Sequence, residues 1–323
     1  MRFAVIGAGA VGCYYGGRLA QHGEEVHYLC RSDYDVMKEK GLKVESCDGD
    51  FHVDVHAYRN VRDMPQSDVV IVSLKGFDTP ALRDLLPPLL LSTSLIVTLQ
   101  NGLGNEEAIA SVCGPERVIA GSAFICSEKV RPGVVLHTSA GTMRLAWFDS
   151  SAVHPGAGVE DIAARFKAAG VKCSVEPDDQ PDGAGLPGRS AAGAKDGAGA
   201  AAKKIKWLKL VWNVPFSGLS IYFGGVTTDV IMNDPDKRAF ARGLMEEVIA
   251  AARADGVTLD SSMVEANFAA TEKMGAYRPS MLVDFLSGRP LETEQIFAEP
   301  LRRGEAGGAS LPLMRKLLSG VPR

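Results

Sequence analysis

Residues 3–6, Phe-Ala-Val-Ile, carry no polar side chain and run straight into Gly7-Ala8-Gly9-Ala10-Val11-Gly12. A continuous apolar run suits a strand covered on both faces. A G-x-G-x-x-G turn directly behind such a strand, opening a helix, narrows the fold to a βαβ unit of dinucleotide-binding type. In that reading Gly7 permits the tight turn, Gly9 lets the backbone approach a pyrophosphate, and Gly12 allows helix to pack on strand. Ala8, Ala10 and Val11 complete the loop, and the unpaired N–H groups of the helix start face the anion. A second strand over residues 25–29 ends in Cys30-Arg31-Ser32. A site for NAD places an Asp or Glu about 20 residues beyond the glycines to hold the ribose 2′-hydroxyl. Here the strand end offers no acid, and Arg31 stands beside it. A guanidinium suits a 2′-phosphate, so the expected cofactor is NADP(H). Taken alone, Arg31 also reads as a solvated surface arginine.

The pattern repeats downstream. Residues 68–73 form a second apolar strand ending at Leu74 and Lys75, a helix is predicted over 79–90, and another buried strand over 95–99 ends in Gln100-Asn101-Gly102-Leu103-Gly104. Alternating strands and helices imply a parallel sheet with right-handed crossovers. Ligands of such sheets sit beyond the C-terminal strand ends, so the glycine turn, Lys75 and Asn101 are expected to converge. A strand over 117–121, a loop over 122–129, a Pro132-Gly133 turn, extended pieces over 134–138 and 143–148, a helix over 160–169 and an extended piece over 171–176 close a first domain, 1–176.

Residues 177–204 are rich in Gly, Ala, Pro and Asp and nearly lack large apolar side chains. Such a composition cannot bury enough surface to offset its ordering entropy, and it reads as a flexible connector. Beyond it, 205–323 forms a second, helical domain: helices over 205–219, with Pro215 expected to kink or break the run, over 237–254, over 261–274 with Asp260 or Ser261 as N-cap, and over 311–318.

At 323 residues the chain has room for about two domains. A net charge of −4 and the lack of a basic stripe interleaved with aromatics argue against nucleic acid as partner. No apolar run reaches the length of a membrane span, and the N-terminal strand leaves no room for a signal peptide, so a cytoplasmic protein is expected. Six scattered cysteines without C-x-x-C spacing read as reduced thiols and not as a zinc site; no metal is expected.

One helix carries chemistry. Trp207-Leu208-Lys209-Leu210-Val211-Trp212-Asn213 sets a lysine among large apolar residues. Lys209 and Asn213 share a face, and the next turn brings Ser217 to it. Such a seam can bind a carboxylate and protonate a carbonyl oxygen. By itself the helix is served as well by a lysine snorkelling from an amphipathic face.

The chain resembles the ketopantoate reductase family (2-dehydropantoate 2-reductase) over nearly its whole length. The matching pieces are the glycine turn, Ser73-Leu74-Lys75, Gln100-Asn101-Gly102-Leu103-Gly104, Trp207-Leu208-Lys209-Leu210 with Asn213, and Ser280-Met281-Leu282 with Asp284, followed by Glu292. The resemblance implies a Rossmann-type domain with a helical domain behind it, and NADPH-dependent reduction of a 2-oxo acid as in pantothenate biosynthesis. It implies Lys209 as general acid, with a pKa lowered by burial, and Asn213 as a substrate-binding amide. Ser280 would bind the substrate carboxylate. Glu292 would hold the nicotinamide ribose and help place Lys209. Asn101 and Lys75 would line the nicotinamide and substrate region, and Arg31 would contact the 2′-phosphate. The expected partner is a small-molecule 2-oxo acid held between the domains; the oligomeric state stays open, a homodimer being the assembly allowed for.

Two departures bear on the substrate. Ser217 stands where the family usually carries a second substrate-binding asparagine, and it lacks the amide's paired donor and acceptor. The connector before Lys209 is also longer and richer in glycine than the family's. A reductase of another 2-oxo acid, or a non-catalytic NADP-binding regulatory protein of the same fold, are the rival readings.

Overall fold

The computed structural model describes residues 1–178 and 199–322. The chain divides into two compact units, Met1–Gln100 with Asn105–Ile205, and Asn101–Gly104 with Lys206–Arg323.

In the first unit β1 (Arg2–Ile6) feeds α1 (Ala10–Gln21), and β2 (Glu25–Leu29) returns parallel to β1. Next come α2 (Tyr34–Lys40), β3 (Leu42–Ser46), β4 (Phe51–Val53), β5 (His56–Tyr58), β6 (Ser67–Val72), α3 (Leu82–Leu85) and β7 (Leu90–Thr98). The unit is completed by α4 (Asn105–Cys113), β8 (Val118–Arg131), β9 (Val134–Trp147), α5 (Val159–Ala168) and β10 (Cys173–Val175). The strands form one sheet in the order β4-β3-β9-β8-β7-β6-β1-β2-β5, with β10 on β9. All pairings are parallel except the hairpins β3–β4 and β8–β9. From β1 the chain goes to β2 on one side and later to β6 on the other. This is a topological switch point, where sheets of this kind hold their ligands.

The apolar run of β1 is explained by burial on two faces. Phe3 and Val5 join Tyr15, Leu19, Val69, Ile71 and Phe166 in one core. Ala4 and Ile6 join Val70, Val72, Leu82, Leu86 and Ile96 in the other. The alternation follows the period of two along a strand. The expected Rossmann-type sheet is therefore present, with two antiparallel hairpins added.

Local expectations fail where turn chemistry intervenes. The helix predicted over 79–90 is a 3-10 segment (Gly76–Ala81), the single-turn α3, a second 3-10 segment (Pro87–Leu89) and the start of β7. Pro80, Pro87 and Pro88 each remove a backbone donor from the run. The loop predicted over 122–129 is strand: β8 continues to Arg131 and returns through Pro132-Gly133 as β9, with register shifts along the ladder.

α6 (Ala200–Tyr222) begins at the 200–204 run at the end of the stretch read as connector, a run that could equally extend the following helix backwards. The Asp178 carboxylate accepts from the backbone N–H of Ala201 (2.8 Å) and Gly199 (3.3 Å), satisfying donors that a helix start leaves unpaired. The rest of the predicted connector, residues 179–198, lies outside the described residues.

The second unit takes α6 from Lys206, then α7 (Thr228–Asn233), α8 (Pro235–Ala254), α9 (Met263–Met274), α10 (Ser280–Leu286), a π-turn over Glu294–Ala298, α11 (Glu299–Ala306) and α12 (Pro312–Gly320). The helical character expected of this half holds. Pro215 does not break α6, which runs through it. Val211, Val214, Phe216 and Leu219 are fully buried on either side, and this packing holds the helix despite one missing backbone bond. The α9 start also differs. Met263 is the first helical residue, and the Asp260 carboxylate accepts from Ser262 N (2.8 Å).

Candidate active site

In the first unit the glycine turn is built against β6. Gly7 has φ +105°, and an added Cβ would lie 2.7 Å from the Ser73 carbonyl carbon. A side chain there is excluded by conformation and by space. At Gly12 a Cβ would meet the Gly7 oxygen at 2.3 Å and Ser73 Oγ at 2.4 Å. Gly9 differs, since a Cβ there would meet nothing within 4 Å. Gly7 and Gly12 serve the protein's own close approach, whereas Gly9 faces open space. Gly9 N donates to Gly7 O (2.7 Å), and Cys13 N to Gly9 O (2.9 Å). α1 then opens without a side-chain cap and without an acid in its first turn. Its N-terminal dipole and donors are left to a ligand or to water.

Sequence reasoning gave Ser73 no role. Its hydroxyl donates to Gly7 O at 2.8 Å, and its N–H to Ile6 O at 2.9 Å, tying the end of β6 to the turn. The signal available was its place in the Ser73-Leu74-Lys75 piece at a predicted strand end. Lys75, half-buried, opens the 3-10 segment after β6, with its carbonyl accepting from Asp78 N (2.9 Å).

Arg31 is 73% exposed, and its Nη2 lies 3.4 Å from Asp78 Oδ2. An acid absent from the end of β2 is thus supplied from the loop after β6. Asp33, the other nearby acid, is buried and ion-paired with Lys129.

Around Thr79 a buried chain of hydrogen bonds fixes both flanks of the Asn101–Gly104 loop. Gln100 Nε2 donates to Thr79 Oγ1 (2.9 Å), and Thr79 Oγ1 donates to Asn105 Oδ1 (3.1 Å).

In the second unit, Lys209 Nζ donates to Asn101 Oδ1 at 2.6 Å. The loop carrying Asn101 is set by Gly102, with φ +79°, where a Cβ would lie 2.2 Å from Gln295 O. Leu103 N donates to that same oxygen (3.0 Å). The lysine's helix is oriented from behind: Trp207 Nε1 donates to Asp255 Oδ2 (3.0 Å) and Trp212 Nε1 to Thr271 Oγ1 (2.9 Å). Asn213 and Ser217 follow Lys209 at four-residue steps and are both buried. Lys206, one turn earlier, is buried too and was not singled out from sequence. Glu292 is only 2% exposed, just ahead of the π-turn. Ser280 is exposed and is the first residue of α10; the N-cap is Pro279, so Ser280 does not cap the helix.

Taken unit by unit, the structure gathers the glycine turn, Ser73, Lys75, Arg31 and Asp78 at the ends of β1, β2 and β6. Separately it pairs Lys209 with Asn101 on the face that Asn213 and Ser217 continue. The first set offers donors and a cation to an anion; the second offers an ammonium held by an amide.

Residues 3–150 match the family described as Ketopantoate reductase PanE/ApbA, and residues 201–321 match Ketopantoate reductase PanE/ApbA C terminal. A 2-dehydropantoate 2-reductase of Nostoc sp. is 36% identical over 314 residues, covering 96% of this chain and 91% of the relative. The crystal structure of 2-dehydropantoate 2-reductase from Geobacter metallireducens GS-15 superposes with a TM-score of 0.88 at 38% identity, covering 99% of this chain and 98% of that one. The corresponding enzyme structure from Methylococcus capsulatus gives 0.81 at 29% identity, covering 99% and 95%.

Proposed function

Because the chain belongs to the ketopantoate reductase PanE/ApbA family of oxidoreductases, we propose that it reduces 2-dehydropantoate (ketopantoate) to pantoate with NADPH, the reaction used in pantothenate biosynthesis. The observation that carries this reading is the 2.6 Å hydrogen bond from Lys209 Nζ to Asn101 Oδ1, on a helix otherwise packed with apolar side chains.

The residues present fit a dinucleotide. Gly9 opens onto free space, and α1 starts uncapped. When bound, NADPH supplies the hydride for the keto carbon. The chain's residues do the rest. Hydride arrival builds negative charge on the keto oxygen, which an ammonium beside it stabilises and then protonates. Lys209 is assigned this role. An ammonium has three donors; one goes to Asn101, which aims the group along the helix face. Asn213 and Ser217 continue that face and are assigned to the substrate's polar groups. Ser280 is assigned to its carboxylate. Arg31 takes the 2′-phosphate, the glycine turn takes the pyrophosphate, Lys75 lines the nicotinamide end, and Glu292 takes the nicotinamide ribose.

Ser217 supports a second reading, reduction of a different 2-oxo acid, because a hydroxyl replaces an amide in a buried position. The test is NADPH oxidation with ketopantoate beside a panel of branched and bulky 2-oxo acids, with NADH as control. Turnover highest on ketopantoate supports the first reading, and highest on another acid the second. NADPH binding without turnover on any of them overturns both.

A further inference from the structure

At the edge of the first unit, away from the glycine turn in sequence, three metal-ligating side chains meet. Cys47 Sγ, a carboxylate oxygen of Asp48 and a ring nitrogen of His137 all lie within 4.8 Å of one another. The backbone builds the cluster. β3 pairs with β9 so that Ser46 stands opposite His137, and Cys47 N donates to His137 O at 3.0 Å. The turn after β3 therefore lays Cys47 and Asp48 over the His137 ring.

The ring's hydrogen bonds fix which nitrogen is available. His137 Nε2 lies 3.0 Å from Ser139 O. A carbonyl only accepts, so Nε2 carries the hydrogen and Nδ1 presents its lone pair. A backbone carbonyl orienting a histidine in this way is the usual support of a metal-bound imidazole. Nδ1 points at Ser46 Oγ (2.8 Å) and Cys47 Sγ (3.8 Å). Tetrahedral zinc with bonds of about 2.3 Å to sulfur and 2.0–2.1 Å to nitrogen sets those two atoms about 3.6 Å apart. The observed separation is close to that edge length. Ala140, the one non-glycine residue with positive φ among the described residues (+67°), lies in the β9 irregularity that follows Ser139.

We propose that Cys47, Asp48 and His137 bind a divalent transition-metal ion of the zinc class, with water as fourth ligand. Sulfur, imidazole and carboxylate together suit zinc better than magnesium or calcium. Binding releases the Cys47 thiol proton to solvent and replaces the Ser46 O–H···Nδ1 bond. A thiolate and a carboxylate match the ion's two charges. The nearby cation, Arg18, is 3.3 Å from Ser46 Oγ, with its guanidinium held over the rings of Phe51 (4.6 Å) and Tyr14 (5.4 Å). The ion would clamp the β3–β4 turn to β9. Nothing in this depends on the reductase reading.

Cobalt(II) is the spectroscopic probe and zinc(II) the competitor, used on the full chain after dialysis against chelator. The expected result is one cobalt per chain, with thiolate-to-cobalt charge-transfer absorption that zinc abolishes. Cys47→Ser removes that band and weakens zinc at least tenfold; Asp48→Asn weakens it several-fold. Both side chains are exposed, so the fold is kept. His137 is buried, so its part is read in the wild type, where zinc shifts its imidazole NMR resonances. Absence of the band, the same band and affinity in Cys47→Ser, or unmoved His137 resonances would each overturn the proposal.

Discussion

Arg31 and Asp78 form an ion pair at 3.4 Å, although 47 residues and four strands separate them in the chain. The residue assigned to a 2′-phosphate therefore already has an anionic partner. A phosphate arriving at Arg31 must displace that carboxylate or sit beside it. An exposed pair of this kind is worth about 0.2–1 kcal/mol. Asp78→Asn should therefore tighten NADPH by up to about fivefold while leaving NADH nearly unchanged. Arg31→Ala should weaken NADPH far more than NADH. Dissociation constants from cofactor fluorescence decide the matter: an Asp78→Asn change equal for both cofactors would show that the carboxylate does not compete with the phosphate.

Lys209 and Asn101 give the second prediction. Proton transfer by a positioned side chain contributes about 10²–10⁴-fold. Lys209→Ala should lower kcat on the preferred 2-oxo acid by that order and leave the NADPH dissociation constant within a factor of a few. Asn101→Ala removes the acceptor at 2.6 Å but keeps the ammonium, so its kcat should fall less. An unchanged kcat in Lys209→Ala rejects the general-acid role.

Much of this was legible because it is local. Strand, glycine turn and helix over Arg2–Gln21 follow from residues in direct succession, and the seam of Lys209, Asn213 and Ser217 follows from helical period alone. What escaped was the product of distance or of backbone detail. Ser73 and Asp78 acquire meaning only because β6 lies beside β1, and the β6–β1 pairing joins residues about 66 apart. The helix read into 79–90 had the right apolar content, but three prolines cut it into turns. The loop read into 122–129 is strand because it pairs with β9, through a ladder whose register shifts break any simple alternation. The nearness of Cys47 to His137 was not legible as a motif, because the two residues stand 90 apart in the chain and meet only through the β3–β9 pairing.

Thr79 anchors both flanks of the Asn101 loop, so its hydroxyl should matter beyond its size. Thr79→Val keeps the shape and removes the bonds to Gln100 and Asn105. Disturbing a buried pair of this kind costs about 1–3 kcal/mol. The melting temperature should fall by several degrees, about 2–4 °C per kcal/mol for large domains. An unaltered melting temperature would mean that the network is dispensable.

The residues flanking 179–198 are close together: Asp178 Oδ2 is 3.3 Å from Gly199 N, and Asp178 Oδ1 is 2.8 Å from Ala201 N. A few residues span such a gap. Replacing 179–198 with a short Gly-Ser bridge should leave the helical signal, melting temperature and NADPH-dependent turnover within about twofold of the parent chain. A soluble, folded variant with turnover lost would show that the segment takes part in the reaction. Asp178→Ala should destabilise the α6 start by about 0.5–2 kcal/mol, as loss of a helix cap does.

The cysteines separate by burial, and this gives a chemical readout. Burial pushes the Cys13 thiol up to about 12, and those of Cys30, Cys113 and Cys173 up to about 11. At pH 8 their thiolate fractions are negligible, and the thiolate is the reactive form. Cys126 is buried, while Cys47 is exposed. Iodoacetamide at pH 8 should therefore modify Cys47 first and singly in the folded chain, as read by peptide mass spectrometry, and all six cysteines in denaturant. Zinc should slow the Cys47 reaction in proportion to site occupancy and leave the denatured rates alone. Rapid modification of a second cysteine in the folded protein would refute the burial argument; a Cys47 rate indifferent to saturating zinc would refute metal ligation by its sulfur.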